Sequence, residues 1–449
     1  MNKALNKKLC TFFLLLFAIP CMADSGKLVI EDVTLIDGTG RAAIAGMHVL
    51  VEDGRIKKVQ RSAISKSEKR GAKKIRGRGK YLVPGLMDVH IHLVGSTKIS
   101  KEGIREVAMD REKGLRALRG YLYSGVTSVY DSGSIPEYIF KLREQERAGD
   151  IKSPRIFAAG GIVTYPGSHG SGAGATLVED WPGAKPAMEK HLAWKPDMVK
   201  LTLEERGWGA RPLIPLVPLD LMEEVIRYTN YEGVRTTAHA AGERRAMQAI
   251  YAGVDSLSHP IITGPISDKF AAFMAVKEVP MATTLTIGEN YSRLVEHPEF
   301  LDQPLYQATF TQEEIAELKG AQRDKYKDAT WTWWMKLMTP IAQENVRKIS
   351  EAGGIIALGT DKSSGPAVHR EMELLVDAGI SPLDVIRIAT LHGAKFLGKE
   401  RELGSISEGK LADMLLLDAD PLQDINNMKR INSVIKNGQL VNRDELKLN

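Results

Sequence analysis

The sequence predicts an α/β protein with a (β/α)8, TIM-like barrel at its centre. Three observations carry that reading. Between about Leu82 and Leu397, eight short apolar segments alternate with amphipathic helical ones, as parallel strands joined by right-handed crossovers do. No glycine-rich dinucleotide fingerprint follows the first strand, which disfavours an open doubly wound sheet. The composition, 43% apolar and 26% charged, is that of a globular chain and not of a disordered one.

The elements follow in order. Residues 1–23 read as a secretory signal peptide: Lys3, Lys7 and Lys8, then the apolar TFFLLLFAIP (11–20), then Cys21-Met22-Ala23 as a cleavage site. The apolar run is shorter than the roughly 20 residues a membrane span needs. Cys21 raises lipidation as an alternative, which the preceding Pro20 fits poorly. Cleavage after Ala23 would give a soluble, periplasmic or secreted protein. From Lys27 to Gln60, LVIEDVTLIDG and HVLVEDGRIKKVQ read as strands ending in Asp-Gly turns. The basic run Lys66 to Lys80 reads as a solvated loop.

The eight barrel strands are LVPGLMDVHIHL, VTSVYDSG, PRIFAAGG, MVKLTL, RTTAHAA, SLSHPII, PMATTLTI and IIALGTD. Helices such as DLMEEVIRYTNYEG and ERRAMQAIYAG lie between them. Residues 288–338 read as a long irregular insertion carrying Trp331, Trp333 and Trp334. Loops of that length are functional or mobile, and the expectation is a lid, with the tryptophans packing it or touching substrate. KLADMLLLDADP and NSVIKNGQLV return to a strand pattern.

Charge and cysteines narrow the chemistry. There are 61 basic and 56 acidic residues, for a formal charge of +5. Without Lys3, Lys7 and Lys8 it falls to +2, which argues for no nucleic-acid partner. Both cysteines, Cys10 and Cys21, lie in the leader. A disulfide framework, a cysteine zinc finger and an iron–sulfur cluster are thereby excluded.

The chemistry-bearing residues sit at strand ends. Alternate side chains of a strand share a face. In Asp88-Val89-His90-Ile91-His92-Leu93, the two histidines face one way and the apolar residues the other. Such a pair can chelate a metal or be satisfied by hydrogen bonds. In the fourth strand Lys200 and Thr202 face inward, opposite Val199, Leu201 and Leu203. A buried lysine needs a partner or a depressed pKa. It is either salt-bridged or carboxylated by CO2 to a carbamate able to bridge two metals. His239 and His259 are one β/α step apart and fall at adjacent strand ends. Ala357, Gly359 and Asp361 share one parity, so small residues leave room beneath a carboxylate. The set gathers on the face where barrel active sites lie and supplies ligands for two metals without cysteine.

With these residues in place, the sequence resembles the amidohydrolase superfamily. The resemblance rests on PGLMDVHIHL (84–93), Lys200, His239, His259 and GTD (359–361), and extends to GVTSVYDSG (125–133), REMELLVDAGISPLDVIRIATLHGAKFLG (370–398) and LGSISEGKLADMLLLDADP (403–421). It is most similar to the imidazolonepropionase-like and Xaa-Pro dipeptidase-like group, and Gly167-Ser168-His169-Gly170 resembles that group's GGHG loop. The family often has Arg where Tyr130 stands, and Gly207-Trp208-Gly209 matches no known specificity.

The resemblance implies that residues 24–81 and 403–449 join into a small β-sandwich beside a barrel of 82–402. It implies two divalent metals, zinc being usual in the group. His90, His92 and Asp361 would hold one and His239 and His259 the other, with carboxylated Lys200 bridging them. A hydroxide between the metals would attack an amide carbonyl. Asp361 would act as general base and then acid, and His169 would either donate to the developing oxyanion or orient its own loop. His369 falls outside the ligand register and is read either as supporting the ligands from behind or as structural. The implied activity is hydrolysis of a C–N bond in a small molecule, a dipeptide or N-acyl amino acid, with self-association left open. Competing readings are a one-metal imidazolonepropionase-like cyclic amidase or deaminase, a lactonase or phosphotriesterase on the same site, and a non-catalytic binding protein.

Overall fold

The computed structural model describes residues 26–93, 96–99, 105–206 and 213–448. The expected leader 1–23 and Gly207-Trp208-Gly209 lie outside the described residues.

Both chain ends build one eight-stranded sheet. From the first end come Lys27–Leu35, Ile44–Glu52, Arg55–Gln60, Lys73–Arg76 and Tyr81–Pro84. Met414–Leu417, Ile431–Lys436 and Gln439–Leu440 come from the other. Tyr81–Pro84 is the join, parallel to Lys27–Leu35 and antiparallel to Met414–Leu417. Asp53 and Gly54 turn the second strand into the third with φ of 51° and 75°, the left-handed pair a tight hairpin requires. One apolar cluster of this sheet holds Leu28, Ile30, Val49, Leu82, Met414 and Ile435. A smaller one holds Val29, Leu50 and Ile64. The basic run 66–80 departs from expectation in one respect. Within it, Lys73–Arg76 pairs with Lys27–Leu35, because Ile75 reaches the apolar cluster while its basic neighbours stay exposed.

After Gly85 the pattern becomes β/α. All eight expected strands form: Leu86–Ile91, Val126–Asp131, Arg155–Ala158, Met198–Thr202, Arg235–His239, Ser256–Leu257, Met281–Ala282 and Ile356–Ala357. The first three make one parallel sheet and the last five lie in another. Hydrogen bonds also run between the two. Asp197 N donates to Ala158 O at 2.9 Å, Val89 N to Leu358 O at 2.9 Å and Asp361 N to His90 O at 2.7 Å.

Amphipathic helices cover the strands. Leu219–Tyr231 buries Leu221, Met222, Val225, Ile226 and Thr229, a stripe at helical spacing whose large apolar members contribute about 1.5–3 kcal/mol each. Among the described residues no helix is long and apolar enough to cross a membrane.

Residues 288–338 are helical, which corrects the expectation of an irregular insertion. Helices Leu285–Glu296 and Thr330–Glu351 flank short ones at Pro304–Thr309, Gln312–Glu317 and Arg323–Asp328. Pro298 and Pro304 start new turns and Gly320 breaks the chain with φ −99°, ψ −108°, so no long periodicity shows in the sequence. Thr311 and Glu314 form a capping box. Tyr306 and Ile315 of the short helices pack with Phe300 and Leu301 of the turn at 298–302 and with Leu294 of the flanking helix in one small apolar cluster. Trp331 and Trp334 pack against the main core, while Trp333 is 41% exposed.

Candidate metal centre

The first strand delivers its two histidines to one point, as its parity predicts. Val89, Ile91 and Leu93 enter apolar clusters, which turns His90 and His92 the other way. His90 Nδ1 lies 2.7 Å from Ser258 O, and His92 Nδ1 2.7 Å from Gly133 O. A carbonyl only accepts, so each ring donates from Nδ1 and keeps a lone pair on Nε2. The two Nε2 atoms face each other at 3.3 Å. Asp361 Oδ1 completes the group at 3.8 Å from His90 and 3.5 Å from His92. Two lone pairs and a carboxylate converging this closely fit a divalent cation.

His239 and His259 adjoin this group. The His259 ring lies 4.3 Å from that of His90 and 4.4 Å from that of His239. Burial holds His90, His239 and His259 well below the usual histidine pKa, with neighbouring cations adding to the effect. Neutral imidazole is the ligating form. Lys200 is buried beneath them and donates to Ser132 Oγ at 3.1 Å. Among the described residues no carboxylate lies in ion-pair range of it. Burial brings its pKa down to about 7, with Asp361 opposing. The His169 ring stacks on His239 at 4.2 Å, and its carbonyl accepts from Thr164 Oγ1 and Thr202 Oγ1 at 3.0 and 2.9 Å. All seven expected site residues therefore gather at the C-terminal ends of the parallel strands. His369 lies apart from them, its Nε2 2.8 Å from Ser124 O.

Several positioning groups escaped the sequence reading. Asp131 accepts from Leu93 N at 2.7 Å and Gly133 N at 3.1 Å, fixing the chain after His92 and the residue that receives its Nδ1–H. Asp88 accepts from Thr360 N, Thr360 Oγ1 and His90 N at 3.0, 2.6 and 3.2 Å, joining the first strand to the loop of Asp361. Glu371 accepts from Leu285 N and Thr286 N at 2.8 and 2.7 Å, bracing Thr284, whose Oγ1 lies 3.0 Å from His259 Nδ1. Glu204 Oε2 lies 3.8 Å from His239 Nε2. It shares strand parity with Lys200 and Thr202, a signal present in the sequence. Two non-glycine residues here have left-handed backbone, Asp361 at φ 52° and Thr284 at φ 29°. Such strain collects at functional sites. Gly359 is obligatory for a simpler reason, since a Cβ there would meet His90 Cβ at 2.9 Å.

The group opens into a cleft of about 660 Å³. His92 and Asp361 form its floor, while Met109, Ile135, Ile162, Tyr291 and Lys362 contribute to its walls. Tyr291 belongs to the helix that begins the 288–338 segment.

A sequence profile described as "Amidohydrolase family" matches residues 81–441. An ochratoxinase of Aspergillus niger is 23% identical over 395 residues, covering 80% of this chain and 75% of the relative. An imidazolonepropionase of Geobacillus sp. (strain WCH70) is 32% identical over 113 residues, 23% of this chain and 26% of the relative. Among solved structures, a Xaa-Pro dipeptidase with methionine bound in its active site superposes with a TM-score of 0.72 at 24% identity, covering 92% of this chain and 99% of that one. At that identity the likeness speaks for the fold, and these neighbours imply a TIM-like barrel.

Proposed function

The chain belongs to the amidohydrolase family, a family of hydrolases acting on C–N bonds, and from that premise we propose that it is an exported, two-metal enzyme cleaving the amide bond of a dipeptide or N-acyl amino acid. The observation that carries this reading is the convergence of His90 and His92 Nε2 at 3.3 Å, each Nδ1 committed to a carbonyl. His90, His92 and Asp361 would hold one divalent ion. His239 and His259 would hold the other, with carboxylated Lys200 between. When bound, divalent ions such as zinc lower the pKa of water toward neutrality and polarise a carbonyl.

The chain's own groups complete the chemistry. Asp361, braced by Asp88 through Thr360, takes the proton from the attacking water and passes it to the leaving nitrogen. His169, stacked on His239, donates to the carbonyl oxygen as charge builds there. Tyr291 and its helix wall the cleft, which is the role we give the 288–338 segment. The bonds from Val89 to Leu358 and from Asp197 to Ala158 support closure of the parallel sheets into one (β/α)8 barrel. Apolar clusters at both faces of the end sheet support a β-sandwich. The leader composition supports export.

The test is metal analysis of the purified protein beside Lys200→Ala. Two metals per chain in the wild type, with loss of metal and of dipeptide hydrolysis in the variant, is the expected result. One metal in the wild type and an active Lys200→Ala protein would overturn the two-metal mechanism and favour a one-metal cyclic amidase or deaminase.

A further inference from the structure

Directly after Asp361 the chain carries Lys362, and the structure holds that residue firmly. Lys362 N donates to Thr360 Oγ1 at 3.2 Å, and Lys362 O accepts from the buried Tyr121 hydroxyl at 2.6 Å. Its backbone is thus clamped on both sides, while its side chain lines the cleft. Nζ sits 6.0 Å from the ring centroid of Tyr291, at the limit of a cation–π contact. Among the described residues no carboxylate lies in ion-pair range of that Nζ. The adjacent Asp361 directs its Oδ1 at the two histidines instead. A half-buried ammonium beside a centre built for cations is costly unless an anion joins it. Among the described residues Asp361 offers it only a longer-range attraction, so a ligand anion can be its direct partner. Met109, Ile135 and Ile162 on the same cleft suit an apolar group.

We propose that Lys362, with Tyr291 beside it, is an anion subsite that selects substrates bearing a carboxylate on the carbon attached to the scissile amide nitrogen, together with an apolar group held by the cleft wall. This deepens the amidohydrolase reading and rests on it for the scissile bond. The Lys362 ammonium donates a charge-assisted hydrogen bond to the substrate carboxylate, and the Tyr291 ring limits where that carboxylate can sit. A peptide or acyl amine without the carboxylate leaves the ammonium unpaired and binds weakly.

The experiment compares N-acetyl-L-phenylalanine with N-acetylphenethylamine, which lacks only the carboxylate, on the metal-loaded wild type, Lys362→Met and Lys362→Arg. The wild type should favour the carboxylate member by about 10- to 100-fold in kcat/KM. Lys362→Met should abolish the preference, mainly through KM, and Lys362→Arg should restore most of it. Lys362→Gln serves as the charge-free variant should the methionine form misfold, as judged by circular dichroism and metal content. A preference kept in the charge-free variant, or none in the wild type, overturns the subsite while leaving amide hydrolysis standing. If neither compound is hydrolysed, calorimetric binding of N-acetyl-L-phenylalanine decides. Binding lost in Lys362→Met and kept in Lys362→Arg upholds the subsite and rejects the hydrolase substrate. Binding equal in all forms, or absent from all, overturns the subsite.

Discussion

Thr284 shows how much of this site depends on residues that are not ligands. A β-branched residue at φ 29° is strained, and the strain persists because Glu371 grips the next two amides. What the conformation achieves is a hydroxyl 3.0 Å from His259 Nδ1, which orients the ring and leaves Nε2 toward the centre. Thr284→Val keeps the shape and removes the acceptor, so metal affinity should fall by about 10- to 100-fold in a chelator-competition titration. Thr284→Ser keeps the hydroxyl and should bind metal like the wild type. A valine variant with unchanged affinity would show that the hydroxyl does not orient His259. At this scale the sequence is readable where parity operates. His90, His92, Lys200 and Asp361 follow from alternation along their own strands. Glu371 does not, because its partner amide lies 86 residues away and only the folded chain brings them together.

Helices tell a similar story one level up. Gly365–Asp377 presents Val368, Met372 and Leu375 to the core, which periodicity reveals. Buried on the same helix is His369, hydrogen-bonded to the carbonyl of Ser124 at the C-terminal end of the Arg111–Tyr123 helix. The bond ties two neighbouring helices together, and burial pushes the imidazole down to about 4. The unfolded chain takes up a proton near the ordinary value of about 6.5, while the native state refuses it until about 4. Stability is therefore complete above pH 6.5 and declines as pH falls through that window, by about 3 kcal/mol for such a histidine. His191 and His392, also near 4 through burial, act in the same sense. His369→Gln keeps a donor and cannot titrate. Its urea midpoints, measured from pH 7 to 4, should fall less steeply than those of the wild type by about one proton's worth. An unchanged slope would reject the assignment to His369. The 288–338 segment was less readable because Pro298, Pro304 and Gly320 cut its helices to a length at which periodicity carries little information.

At the scale of the whole molecule, the two chain ends depend on one another. Alternation identifies the terminal strands, but it cannot say that Tyr81–Pro84 lies between Lys27–Leu35 and Met414–Leu417. That pairing joins residues over 300 positions apart, and the family resemblance, not periodicity, anticipated that the ends would meet. The late strand also reaches the parallel strands. Asp413 O accepts from Gly85 N at 2.9 Å, just before the strand of His90, and Asp413 Oδ2 lies 3.4 Å from the Arg155 guanidinium at the start of the third strand. Met414, Leu415, Leu416 and Leu417 are all fully buried. At about 2 kcal/mol each they account for about 8 kcal/mol, comparable to the 5–15 kcal/mol that holds an ordinary domain together. A chain ending at Ala412 would lose that burial and leave Tyr81–Pro84 with an unpaired edge, a template for association with other copies. It should accumulate as aggregates on size-exclusion chromatography, with metal content and hydrolysis lost together and not one before the other. A soluble, monodisperse truncation that still binds metal would mean that the parallel strands and helices fold without the end sheet, and that the sheet serves something other than their stability.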